Sequence, residues 1–97
     1  MKREEALRVL AANRQELGER FGLSSLALFG SVARDEAGPQ SDVDVLVEFC
    51  ETPGLGEYMR LKDWLEERLG CHVDLVMKGA LKPWAKPVVE LEAIRVA

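Results

Sequence analysis

The sequence predicts a small α/β (α+β) domain, on three observations. Leu7, Leu10, Leu17 and Phe21 recur at helical spacing near the start. Val43, Val45, Val47 and Phe49 fall on alternate positions, as on one face of a strand. Leu61, Trp64, Leu65 and Leu69 return to helical spacing just before a second strand-like run at Cys71 to Met77.

Ninety-seven residues make one domain, 1–97, and 47% hydrophobic residues supply a single modest core. Thirteen basic residues against 17 acidic ones leave a formal charge of −4, and so little electrostatic footprint for nucleic acid. No direct nucleic-acid binding is expected, and a template-reading or tRNA-modifying role is disfavoured. Cys50 and Cys71 stand far apart, with no paired motif for zinc or redox chemistry, and ordinary packing is the plain reading of both. With neither a signal peptide nor a long apolar span, the expectation is a cytoplasmic chain with no membrane association.

The first element is an amphipathic helix from Arg3 to about Arg20, stopped by Gly22. Ser24 to Phe29 follows as a strand too apolar for a sheet edge. A brief helix is expected over Val32 to Ala37, with Ser31 as N-cap and Gly38-Pro39 as its end, and then a strand from about Asp42 to Phe49. Thr52-Pro53-Gly54 breaks the pattern before the helix of Gly56 to Leu69, which Gly70 terminates. Trp64 suits core or partner packing better than base stacking, while Tyr58 is open between the two. Lys78-Gly79 turns the chain into a tail where Pro83 and Pro87 limit any helix before Val88. Val88, Leu91 and Ile94 then offer one apolar stripe, and Trp84, Val88 and Val89 equally suit a partner interface. Lys82 and Lys86 read as a solvated basic face, and His72 as a structural or surface histidine without a second ligand.

The chemistry gathers in Gly30 to Phe49, GSVARDEAGPQSDVDVLVEF. In an extended strand Asp42 and Asp44 share the face opposite the valines, with Cα atoms about 6.7 Å apart. Two ionised carboxylates held ~6 Å apart repel by roughly 3 kcal/mol at an effective dielectric near 20, and a divalent cation gives a fold reason to hold them. Gly30 lets the backbone come close to a ligand, and Ser31 at the head of a short helix suits an anion. Arg34, one turn on, is placed either to neutralise a phosphate or to pair with Asp35 or Glu36 in solvent. Ser41 either adds a phosphate contact or caps the Gly38-Pro39 turn.

Gly30-Ser31, ten residues, then Asp42-any-Asp44 resembles the signature of the nucleotidyltransferase superfamily that shares the polymerase-beta palm, a small mixed β-sheet with helices packed on it. The wording Gly30-Ser31-Val32-Ala33-Arg34 and the run Ser41 to Val47 are similar to its minimal branch, whose members commonly serve as antitoxins beside a helical HEPN-domain toxin. The resemblance covers the chain from about Leu7 onward. It implies transfer of a nucleoside monophosphate, AMP from ATP first among them, to a hydroxyl of a partner, with a tyrosine of the toxin as acceptor. It implies two Mg²⁺ ions bridged by Asp42 and Asp44, and Asp74 as the third carboxylate, ligating metal and serving as general base. Gly30 and Ser31 would hold the β- and γ-phosphates. It also implies a C-terminal helix followed by a short strand at Ile94-Arg95-Val96. Asp35 departs from the glycine or small polar residue usual at its place, and an extra negative charge near a triphosphate would weaken nucleotide binding. Two other readings start from the same motif: an antitoxin that neutralises by binding alone, and transfer to a small molecule such as an aminoglycoside, for which a homodimer could build the pocket. The assembly, homo- or hetero-oligomer, is open.

Overall fold

In the computed structural model, which describes residues 1–97, ten elements follow one another. They are α1 (Arg3–Ala12), α2 (Arg14–Phe21), β1 (Leu23–Phe29), α3 (Gly30–Ala33), β2 (Val43–Phe49), α4 (Leu55–Leu69), β3 (Val73–Met77), a 3₁₀ turn (Lys78–Ala80), α5 (Lys86–Glu92) and β4 (Ile94–Arg95). The strands form one mixed sheet in the order β3-β2-β1-β4. β1 runs antiparallel to both β2 and β4, while β2 and β3 are parallel. That parallel pair needs a crossover, and α4 supplies it.

One face of the sheet carries the core. Leu26 and Leu28 of β1, Val43, Val45 and Val47 of β2, and Val73 and Leu75 of β3 are all buried in one cluster. Leu10 and Leu17 from the N-terminal helices and Leu61, Leu65 and Leu69 from α4 close over them. Burial of each such side chain stabilises the fold by roughly 1.5–3 kcal/mol. Trp64 joins this core, edge-on to Phe21 at 5.5 Å, with the Arg68 guanidinium 4.5 Å above its ring. Tyr58 packs at the margin and donates its hydroxyl to the Leu75 carbonyl, tying α4 to β3. Trp64, buried in the core, offers no stacking surface to a base.

Three expectations are corrected. The N-terminal helix is two helices, broken at Asn13, whose side chain donates to the Val9 carbonyl at 2.7 Å. The brief helix lies earlier than Val32 to Ala37: it is one turn, Gly30–Ala33, preceded by extended Phe29, so Ser31 sits inside it rather than capping it. Asp35 ends it with φ of 60°, a left-handed conformation that few side chains adopt and that glycine takes freely. The Val88, Leu91, Ile94 stripe does not form, because Val88 and Leu91 on α5 face solvent, Leu91 at 90% exposure, and only Ile94 packs against the core. Trp84 is likewise exposed.

Candidate active site

β2 positions the site through its two neighbours. The antiparallel register sets Phe29, the last residue of β1, opposite Asp44, and the parallel register sets Asp74 of β3 opposite Asp44 on the other side. Cα atoms across such pairs lie about 5 Å apart, and residues in register project from the same face. That face is opposite the valine core, so the carboxylates stand clear of it. Asp42 lies one residue before the strand, exposed at its mouth. Asp74 is exposed on β3, an edge of the sheet, while Asp44 is half-buried between the two flanking strands.

Gly30 follows Phe29 directly and turns with φ of 75°. A Cβ there would overlap Asp44 Oδ2 and lie 2.7 Å from its Cγ, so any other residue would have to displace the carboxylate. The loop and the metal-ligand candidate are thus in van der Waals contact.

Crowding shows in the electrostatics. The Asp44 carboxyl is pushed up to about 6, first by burial, then by the Asp74 carboxylate beside it, with Asp42 and Glu92 adding repulsion. No three acidic, histidine or cysteine side chains converge tightly enough to make a ready metal cage. The donor set nonetheless fits magnesium: carboxylate oxygens only, mutually repelling, with half-buried Asp44 between Asp42 and Asp74.

Arg34 is exposed and paired. Its Nε meets Glu36 at 3.1 Å and its Nη1 meets Glu92 at 2.8 Å, and these two carboxylates, Glu36 foremost, raise its pKa. Glu92 also accepts from the Gly30 amide at 2.5 Å. Pairing with Glu36 was one of the two roles open to Arg34 in the sequence; the link to Glu92 and Gly30 was not foreseen. Ser41 accepts from the Gly38 amide at 3.0 Å and so holds the turn that feeds Asp42 into place. His72 is 90% exposed, 3.5 Å from Glu66, which the Val73 amide holds below the usual carboxylate range.

Asp35 also serves the fold. Its carboxylate takes a hydrogen bond from Arg3 N–H and lines a hollow with Met1, Lys2, Glu5 and Ala37 at the start of α1. Glu92 is the residue that sequence reasoning missed. One signal could have found it: a terminal strand returning antiparallel to β1 must leave the residue just before it beside the end of β1, where Gly30 lies.

The small mixed sheet with helices packed on it is the fold of a nucleotidyltransferase palm. The chain belongs to the nucleotidyltransferase family, whose domain profile matches residues 10–96. Protein adenylyltransferase MntA of Thermococcus cleftensis is 45% identical over 93 residues, 96% of this chain and 94% of that one. The Methanocaldococcus jannaschii protein MJ0128 is 44% identical over 89 residues, 91% of each chain. A solved minimal nucleotidyltransferase superposes with a TM-score of 0.82 at 41% identity, covering 97% of this chain and 95% of that one. A toxin-antitoxin crystal structure with AMP-PNP shares the fold, with a TM-score of 0.73 at 21% identity over 100% of this chain and 73% of that one. No helix here is long and apolar enough to cross a membrane.

Proposed function

We propose that this protein is a magnesium-dependent protein adenylyltransferase that moves AMP from ATP to a tyrosine hydroxyl of a HEPN-domain toxin, silencing it. The observation that carries this reading is the position of Asp44, with Gly30 against its carboxylate on one side and Asp74 in register on the other. A nucleotide cradle and an acidic site are thereby fused.

The chemistry requires the acceptor oxygen to bond to the α-phosphorus while the bond from that phosphorus to the bridging oxygen of pyrophosphate breaks. The transition state spreads negative charge over the phosphate oxygens, so positioning and electrostatics dominate. Gly30 and Ser31, through backbone N–H groups and the hydroxyl, hold the β- and γ-phosphates, and Arg34 offsets their charge. Ser41 belongs to the nucleotide-binding set through the turn it fixes. Asp42, Asp44 and Asp74 would hold the magnesium ions, which when bound would offset charge on the attacking and leaving oxygens. Asp74 takes the proton of the acceptor hydroxyl. Its exposure on an edge strand leaves it open to a side chain offered by another protein.

ATP labelled at the α-phosphate, mixed with magnesium, the protein and its toxin, tests this directly. Label should pass to the toxin from wild type and not from Asp42→Ala. Equal failure by both proteins ends the enzymatic reading.

A second reading is favoured by the exposed Trp84, Val88 and Leu91 near the C-terminus, apolar area of the kind that protein partners cover. On that reading neutralisation is by binding alone. It predicts that Asp44→Ala still protects cells from the toxin and that no adduct appears in the intact mass.

A further inference from the structure

Glu92 engages the loop donors that the proposed function assigns to phosphate. Its Oε1 accepts from both Gly30 N–H, at 2.5 Å, and Arg34 Nη1, at 2.8 Å. A single carboxylate oxygen thus uses one backbone donor and one guanidinium donor of the loop, the pair of donors that a phosphate oxygen would use. We infer that Glu92 is an internal anion that competes with the triphosphate and so sets nucleotide affinity. This rests on the reading that Gly30 and Arg34 receive phosphate oxygens.

Sequence distance and packing support the inference. Glu92 comes 62 positions after Gly30 and reaches it only because β4 pairs with β1, Leu28 opposite Ile94. The contact is therefore made by tertiary structure and not by a local turn. The Glu92 side chain keeps about a quarter of its surface, 26%, in solvent, which leaves it room to rotate out when a stronger anion arrives. Arg34 does not lose all support on that exchange, since Glu36 still holds its Nε at 3.1 Å.

The donors released by Glu92 are charge-assisted, and removing the competing charge should tighten MgATP binding roughly three- to tenfold. Titration calorimetry with MgATP on wild type, Glu92→Gln and Arg34→Ala provides the test. Glu92→Gln keeps an acceptor for Gly30 N–H and should bind MgATP more tightly than wild type, while Arg34→Ala binds more weakly. Should Glu92→Gln bind equally or less tightly while wild type still exceeds Arg34→Ala, the competition is overturned and the cradle stands. Should wild type and Glu92→Gln both bind no better than Arg34→Ala, the cradle itself is wrong. In the wild-type protein, the carboxyl-carbon NMR resonance of Glu92 and the amide resonance of Gly30 should both move on adding MgATP. A Glu92 resonance unmoved at saturation overturns the inference without any substitution.

Discussion

The Asp35 carboxylate accepts a hydrogen bond from the Arg3 backbone amide at 3.1 Å, across 32 positions of sequence. The residue thereby caps the first helix, whose own N-cap, Lys2, makes no side-chain cap. Asp35→Ala keeps the left-handed backbone without the cap, and should lower unfolding free energy by about 1–2 kcal/mol. Urea denaturation measures the loss. MgATP affinity, read by calorimetry, should be unchanged.

Gly30→Ala should abolish nucleotide transfer with the fold retained. Its Cβ would collide with the Asp44 carboxylate, and alanine is strained at φ of 75°. Asp44 has the freedom to swing away, being only half-buried, so circular dichroism should show native helix while labelling of the acceptor disappears.

Asp44 makes the ligand-free protein sensitive to pH. Its folded pKa, about 6, lies above the ordinary value, so the folded state holds the proton more tightly than the unfolded chain. Stability contributed by this proton is present below about pH 4 and is lost as pH rises through about 6. Without magnesium, thermal melts of wild type should therefore fall between pH 5 and about 7.5 more than those of Asp44→Asn. The same proton competes with the cation, and magnesium binding by wild type should strengthen over that interval.

Core and surface leucines should separate cleanly. Leu65→Ala, in the α4 face against the sheet, should cost about 2–5 kcal/mol, whereas Leu91→Ala on exposed α5 should stay within ~0.5 kcal/mol. A large loss at Leu91 in the isolated protein would show that α5 is seated more deeply than the structure has it.

Much of this was legible in the chain because side-chain period carries it. The alternation of Val43, Val45 and Val47 assigned the core face of β2, and Leu61, Trp64, Leu65 and Leu69 assigned the buried stripe of α4. β1 was read as internal from its apolar run, and it is, between β2 and β4. What periodicity could not give was anything fixed by contacts distant in sequence. The break at Asn13 depends on a single side-chain bond to Val9, and the end of α3 on the left-handed Asp35. Glu92 reads as an ordinary charge on a short helix until β4 is laid beside β1. Val88 and Leu91 have helical spacing, and α5 presents them to solvent, a choice between core and outward face that spacing alone leaves open.

The pairing of Ile94 with Leu28 joins the last strand to be made to the first one. While the protein is being synthesised, a chain that has emerged only as far as α4 can already bury the β1–β2 hairpin, yet it lacks the segment that brings Glu92 to the glycine turn. If Glu92 competes for the Gly30 and Arg34 donors as inferred, such a nascent chain would leave those donors unguarded until the closing strand docks.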